Sequence, residues 1–239
     1  MFRALLNALL PGQCEVCHTW PARALCEPCV SRFAQPVSRC EGCALPLMGA
    51  AMCGSCLAHP PPWQRCLAAV DYGYPWSGVV GRFKFEQAPS WATALAQLMR
   101  SAPWVEPALD EADVLLPMPL SKERLQERGY NQALLLAQAL LPHKVQARTL
   151  LRTRHTRAQS ELPLKERLSN VEGAFALEPA HRAALAGQRV VLVDDVMTTG
   201  ASLRAAALPL QQAGVAQLTC LVLARTPAPH DPTSSLEVL

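Results

Sequence analysis

Short apolar runs alternate with helix-periodic stretches along the body of the chain. Apolar runs bounded by polar or turn residues predict strands, and apolar positions recurring every three or four residues predict helices. Strands that alternate with helices are typical of an α/β fold with a parallel, doubly wound sheet, which is the fold class expected here. The predicted strands are 66–72, 114–116, 145–150, 190–193 and 218–224, and the predicted helices are 78–85, 91–100, 131–141 and 202–213.

The two ends of the chain have different patterns. The apolar positions 2, 5, 6, 9 and 10 share one face of a short amphipathic helix, which is interrupted by Asn7 and runs into Pro11. This pattern does not fit a secretory signal, and no stretch reaches the roughly 18 apolar residues that span a bilayer, so we expect a cytoplasmic protein without a membrane span. Residues 227–239 lack periodicity and are expected to be loosely ordered.

A proline run at residues 59–63 separates two regions of different composition. Consecutive prolines force an extended connection, so we expect a small domain at 1–60 and a larger one at 61–239 whose core spans about 110–226. The chain has 239 residues, of which 50% are hydrophobic and 17% charged, a composition that favours globular domains over disorder.

Eight of the ten cysteines form four Cys-x-x-Cys pairs within the small region. In a reducing compartment, paired cysteines indicate metal rather than disulfides, and two such pairs complete a tetrahedral structural Zn²⁺ site. We therefore expect two zinc ions that fold a head too small for its own core, with redox-active or incidental pairs as the less favoured reading. Sequential pairing gives one ion Cys14, Cys17, Cys26 and Cys29 and the other Cys40, Cys43, Cys53 and Cys56; cross-braced pairing is the alternative.

Positive charge is concentrated in the middle of the chain. The whole chain carries a net charge of +3, too small to indicate nucleic-acid binding by itself. Residues 121–170 contain ten basic and four acidic residues, so this segment alone carries +6. Such a local field favours a polyanionic ligand.

The most specific pattern in the body is the segment 190–202. An apolar run ends in Asp194 and Asp195, and a hydroxyl-rich turn with Gly200 then leads into a predicted helix. Free amides at a helix N-terminus bind phosphate, and carboxylates at a strand end accept hydrogen bonds from ribose hydroxyls. The segment therefore predicts a site for a phosphorylated ribose, with a capped turn that binds nothing as the alternative.

This segment resembles the motif of type I phosphoribosyltransferases, which bind 5-phosphoribosyl-1-pyrophosphate (PRPP). Together with the cysteine-rich head, Pro-Pro-Pro-Trp-Gln-Arg, Pro-Met-Pro-Leu and Arg-Gly-Tyr-Asn-Gln, it makes the whole chain similar to the ComF family of GntX-like and ComFC-like proteins. The resemblance implies a type I phosphoribosyltransferase-like sheet preceded by a double zinc ribbon. It also implies that Asp194 and Asp195 hold the ribose hydroxyls and that the 5′-phosphate is wrapped by Thr198, Thr199, Gly200, Ala201 and Ser202.

The resemblance further implies a pyrophosphate loop and a mobile loop. The mobile loop, 152–175, would close over PRPP, and Lys122 would join Asp194 and Asp195 in catalysis. A solvated helix face at 122–128 and an ordinary connection at 152–175 are the alternatives, and Lys84 facing the site is a further hypothesis. The candidate residues of the two loops are Ser121, Lys122, Arg124, Arg128, Gln159 and Arg167.

Two functions remain open at this point. The first is transfer of the phosphoribosyl group from PRPP to an unidentified acceptor with release of pyrophosphate, assisted by Mg²⁺. The second is a non-catalytic PRPP sensor or an adaptor in DNA uptake, a process to which the resemblance links the chain. Candidate partners are single-stranded DNA and a DNA-uptake helicase or processing protein. The sequence indicates neither the acceptor nor the oligomeric state.

Overall fold

The computed structural model describes residues 12–20, 22–86, 88–154 and 173–228. The amphipathic helix predicted at the N-terminus, the tail 229–239 and most of the predicted mobile loop, with Gln159 and Arg167, lie outside these ranges. None of the helices within the described ranges is long and apolar enough to cross a membrane.

Four parallel strands form the central sheet, and two short strands form a separate antiparallel pair. The central sheet has the order β1-β6-β5-β2, with Val191 aligned between Leu115 and Thr219, and β3 pairs with β4. Parallel strands in the middle of a sheet are covered on both faces, which explains the nearly continuous apolar runs of β5 and β6. The strands are β1 (Arg65–Asp71), β2 (Val114–Pro117), β3 (Leu150–Arg152), β4 (Phe175–Leu177), β5 (Arg189–Met197) and β6 (Gln217–Arg225).

Helices cover both faces of the central sheet, so the expected α/β class is confirmed. Successive side chains of β5 point to opposite faces, because a strand alternates with a period of two. Val190 and Leu192 join one buried cluster, and Val191 and Val193 join the other. The helices are α1 (Glu27–Phe33), α2 (Gly54–Ala58), α3 (Trp76–Phe85), α4 (Ala92–Arg100), α5 (Val105–Glu111), α6 (Lys122–Arg128), α7 (Gln132–Leu140), α8 (Pro179–Arg182) and α9 (Ala201–Gln212).

The two faces carry different segments. Helices α3, α4, α5 and α7 pack on the face of Val191 and Val193. Helix α9, the β3–β4 pair and three cysteines of the second tetrad pack on the face of Val190 and Leu192. The head therefore contributes directly to one half of the protein's core.

The strand predicted at 145–150 is wrong for most of its length. Val145 makes a single parallel bridge to Leu115, and residues 147–149 form a turn. The polar residues Gln146 and Arg148 interrupt the apolar run, and a short 3-10 helix precedes it at Pro142–Lys144. The chain therefore leaves the central sheet, and its next strand, β3, pairs outside it.

The centre of β5 should carry much of the stability of the body. Leu192 is completely buried, so Leu192→Ala is expected to lower the free energy of unfolding by about 2–5 kcal/mol through lost burial and the resulting cavity. The matched control is Leu208→Ala on α9, where the side chain is 52% exposed. The control should change stability by no more than about 0.5 kcal/mol in chemical denaturation. Equal losses in the two variants would contradict this description of the core.

Candidate functional site

A tight turn joins the end of β5 to the start of α9. Gly200 has φ +77°, and a Cβ at this position would meet the Met197 side chain at 2.5 Å. The left-handed backbone favours glycine here, and any larger residue would also have to displace the end of the Met197 side chain. The first amides of α9 have no intrahelical partners, and Ala201 N donates to Thr199 Oγ1 at 3.3 Å. The remaining amides and the positive end of the helix dipole suit an anion.

A cavity of about 400 Å³ lies in front of this turn. It is lined by the carboxyl ends of β2 and β5, the start of α9, and parts of α3, α6 and α7. In a parallel sheet these strand ends meet at one edge, where α/β proteins bind their ligands. The residues predicted from sequence that line the cavity are Arg124, Arg128, Asp194, Asp195, Thr198, Gly200, Ala201 and Ser202.

Three other predicted residues do not line the cavity. Lys122 is an exposed residue at the start of α6, so its predicted catalytic role stays a prediction. Ser121 is 5% exposed and caps α6, because its Oγ accepts a hydrogen bond from Arg124 N at 3.4 Å. Thr199 directs its hydroxyl to the backbone of the turn.

The paired carboxylates at the end of β5 face a lysine from α3. Lys84 Nζ lies 3.1 Å from Asp195 Oδ1, and both side chains are largely buried. Asp195 N donates a hydrogen bond to Asp194 Oδ1 at 2.9 Å. Burial, and then the negative charge of Asp195, raise the pKa of Asp194 to about 7. The hypothesis that Lys84 faces the site agrees with this geometry.

Three arginines line the same cavity from α6 and β3. Burial, and then the positive charge of Arg124, lower the pKa of Arg152 to about 10. Arg128 Nη1 donates to Gln132 Oε1 at 3.0 Å, and its guanidinium lies 5.3 Å from the centre of the Phe85 ring. Arg128 Nε is buried without a hydrogen-bond partner in the described part of the chain. A cavity that collects like charges in this way is suited to a multiply charged anion.

Some of the residues that line the cavity have only a weak signal in the sequence. Lys84 and Phe85 end a largely apolar helix, and their spacing carries no motif that would assign them to a site. Tyr72 also lines the cavity, just after β1. The usable signal was topological: these residues follow or lie close to the carboxyl ends of predicted parallel strands.

The cysteines of the head form two separate tetrads. Within each tetrad the four Sγ atoms lie within 4.8 Å of one another, and the grouping is the sequential one. Backbone amides point at sulfur, since Cys26 N donates to Cys14 Sγ at 3.4 Å and Cys53 N donates to Cys40 Sγ at 3.3 Å. Although burial opposes it, hydrogen bonds from backbone N–H groups lower the pKa of Cys40 to about 7. Four convergent thiols with amide donors fit a tetrahedral zinc site.

Comparisons with known proteins agree with this geometry. A family model described as a phosphoribosyl transferase domain matches residues 127–238, which include the turn before α9. The DNA utilization protein YhgH of Salmonella typhimurium is 34% identical over 227 residues, covering 91% of this chain and 98% of that protein. Competence protein F of Haemophilus influenzae is 34% identical over 183 residues, covering 72% of this chain and 78% of that protein.

A third relative covers a shorter part of the chain. Competence protein ComFC of Bacillus subtilis is 40% identical over 107 residues, covering 45% of this chain and 42% of that protein. The similarity to YhgH covers 91% of this chain and 98% of that protein. The chain therefore belongs to the ComF family of proteins with a phosphoribosyltransferase-like domain.

Proposed function

We propose that the protein binds PRPP in the cavity in front of α9 and transfers its phosphoribosyl group to an acceptor with release of pyrophosphate. The observation that carries this proposal is the presence of three kinds of group in one cavity of about 400 Å³. These are a glycine turn at the N-terminus of α9, a pair of carboxylates and a set of arginines. The match of residues 127–238 to a phosphoribosyl transferase domain supports this proposal.

The mixture of charges supports a ligand with both hydroxyl and phosphate groups. A ligand with phosphates alone would meet the carboxylates of Asp194 and Asp195, and a ligand with hydroxyls alone would gain nothing from the positive charge of the arginines. A ribose that carries phosphate groups at both ends satisfies both sets. In this arrangement the amides of residues 198–202 hold the 5′-phosphate, and the two carboxylates accept hydrogen bonds from the ribose hydroxyls.

The basic residues of the cavity act on the leaving group in this proposal. Arg124, Arg128 and Arg152 hold the pyrophosphate and stabilise the charge that develops as it departs. Mg²⁺ supplies further charge neutralisation for the pyrophosphate when bound, and carboxylate oxygens such as those beside Lys84 are ligands of the kind that it prefers. Lys84 orients the Asp195 carboxylate, since the two groups form an ion pair at 3.1 Å.

The two cysteine tetrads bind structural zinc in this proposal. Each provides four thiols and no open position, so the ions stabilise the head and do not take part in chemistry. The full-length protein is expected to contain two zinc ions per chain.

A second candidate function is a PRPP-binding adaptor without turnover. It is supported by the names of the relatives, which refer to DNA utilization and competence and not to a transfer reaction. Under this candidate the same cavity binds PRPP, and the link to DNA uptake lies in a partner such as single-stranded DNA or a DNA-processing protein.

Binding of PRPP is expected to depend on the paired carboxylates. Replacing them in Asp194→Asn/Asp195→Asn removes two charged acceptors, and calorimetry with PRPP and Mg²⁺ should show at least about a hundredfold loss of affinity. The matched control is Asp113→Asn, since Asp113 forms an ion pair with Arg189 at the opposite end of the sheet. The control should bind within about twofold of the wild type. Unchanged affinity in the double variant would refute the site assignment.

The affinity for PRPP is also expected to depend on pH through Asp194. Its pKa is about 7 in the free protein, and hydroxyl donors favour the ionised form, so binding releases a proton. Affinity should therefore fall below pH 7, by up to about tenfold per pH unit. With Asp194→Asn, only the ligand's own phosphates still titrate in this pH range. Calorimetry should therefore show a weaker dependence of the PRPP affinity on pH than in the wild type. Identical pH profiles would exclude Asp194 as the titrating group.

Turnover separates the two candidate functions. A pyrophosphate-release assay with PRPP, Mg²⁺ and a panel of nucleobases and amines should give release that depends on one acceptor class and is lost in Asp194→Asn/Asp195→Asn. Tight PRPP binding without release for any acceptor would contradict the transferase and favour the adaptor.

A further inference from the structure

The second cysteine tetrad is bonded to the body of the protein through one short backbone segment. Three consecutive carbonyls of its first Cys-x-x-Cys loop each accept a hydrogen bond from a residue outside the head. Glu41 O accepts from Cys66 N at 2.7 Å, Gly42 O accepts from Trp63 Nε1 at 2.7 Å, and Cys43 O accepts from Arg225 Nε at 2.6 Å. This loop is therefore held on one side by the cysteines of the tetrad and on the other by hydrogen bonds from the body of the protein.

Arg225 connects this loop to the phosphate-binding turn. It lies at the end of β6, is 6% exposed, and also donates through Nη1 to Met197 O at 3.1 Å and Thr198 O at 2.5 Å. One guanidinium thus bridges the carbonyl of a cysteine in the tetrad and two carbonyls of the turn before α9. Buried groups joined in this way have few alternative partners, so a shift at one end disturbs the other.

Trp63 provides a second connection. Its indole N–H is bonded to Gly42 O, and its ring lies 3.8 Å from the position that a Cβ on Gly200 would occupy. The guanidinium of Arg204 on α9 lies 5.5 Å from the centre of the same ring. The ring therefore packs between the cysteine loop and the start of the helix that faces the cavity.

The first tetrad lies on a different part of the protein. Its neighbourhood contacts α3, because Arg82 donates to Glu15 O at 2.7 Å and Trp76 donates to Phe33 O at 2.8 Å. These contacts join the core cluster on the opposite face of the sheet from α9. Cys17 of this tetrad is exposed, whereas Cys40, Cys43 and Cys56 of the second belong to the buried cluster beneath the turn.

We propose that zinc in the second tetrad positions the phosphate-binding turn through Arg225 and Trp63, and that zinc in the first tetrad does not. This rests on the proposed binding of zinc and PRPP. Two thiolates on one ion fix the loop that carries the Glu41, Gly42 and Cys43 carbonyls, and the loop then fixes the two bridging side chains. Arg225 and Trp63 are positioning residues, since neither lines the cavity. Coupling between two ligands is reciprocal, so bound PRPP also retains zinc in the second tetrad.

The matched comparison is Cys56→Ser against Cys29→Ser in the full-length protein. Each cysteine is the third residue of its short helix, and the two are 3% and 5% exposed. Each variant should retain one zinc ion by elemental analysis. By hydrogen exchange, the amides of residues 204–206, which begin the hydrogen-bonded part of α9 directly after the turn, should exchange at least about tenfold faster in Cys56→Ser and within about twofold of wild type in Cys29→Ser. Equal effects of the two substitutions on this segment, or no effect of either, would overturn the inference.

Two further variants keep all eight thiols, so they test the inference even if Cys56→Ser does not fold. Arg225→Lys retains the charge but cannot bridge carbonyls in two directions, and Trp63→Phe retains a ring but not the N–H. Each should accelerate exchange of the amides of residues 204–206 by at least about fivefold with two zinc ions still bound. Wild-type exchange rates in both variants would overturn the roles of these side chains.

Zinc release to a chelating dye tests the reciprocal effect. In Cys29→Ser, which keeps the second ion, PRPP should slow release at least about fivefold, and adding Arg225→Lys should abolish the slowing. In Cys56→Ser, which keeps the first ion, PRPP should have no effect, and equal slowing in both backgrounds would contradict the inference. If the wild type does not bind PRPP, the proposed function fails, and the exchange measurements still decide the inference because they need no ligand.

Discussion

The left-handed backbone of Gly200 determines where α9 begins and where the N–H groups of its first turn point. The turn before it is held from beneath, since Met197 packs against the position of the missing Cβ and Cys66 Sγ contacts Met197 Sδ at 3.5 Å. Arg225 bonds the carbonyls of residues 197 and 198 from the neighbouring strand. Glycine adopts this backbone without steric cost, and the contacts from the sheet and the head then fix the direction of the turn.

The parallel sheet explains how distant segments supply opposite charges to one cavity. Lys84 lies on the helix after β1, Arg124 and Arg128 follow β2, and the two carboxylates end β5. Parallel strands end at the same edge, so the residues that follow β2 and β5 meet at the cavity, and the ten-residue helix α3 brings Lys84 to it. Opposite charges at this edge compensate one another in the free protein, which accounts for the ion pair between Lys84 and Asp195.

Features encoded by neighbouring residues were predictable from the sequence, and features made by distant residues were not. Continuous apolar runs predicted β5 and β6, and cysteine spacing predicted both tetrads with the grouping that the structure shows. The run at 145–150 predicts a sheet strand, but only Val145 bridges to the central sheet, because Gln146 and Arg148 interrupt the apolar run and residues 147–149 form a turn. The bond from Arg225 to Cys43 spans 182 positions of the sequence, and no periodicity or motif reports such a contact.

The proline run at 59–63 separates two regions of different composition, but the structure joins these regions closely. Composition changes there, yet Arg204 of α9 donates to the carbonyls of His59 and Pro60 at 3.3 and 3.4 Å, and Trp63 is 5% exposed. Cysteines before this run and strand residues after it share one buried cluster. Removing the second tetrad would therefore open the core beneath the turn, whereas the first tetrad contacts the helices of the opposite face. Two ligand sets with nearly the same spacing thus differ in structural consequence, because in the described part of the chain the second set is the one bonded to the backbone that shapes the cavity.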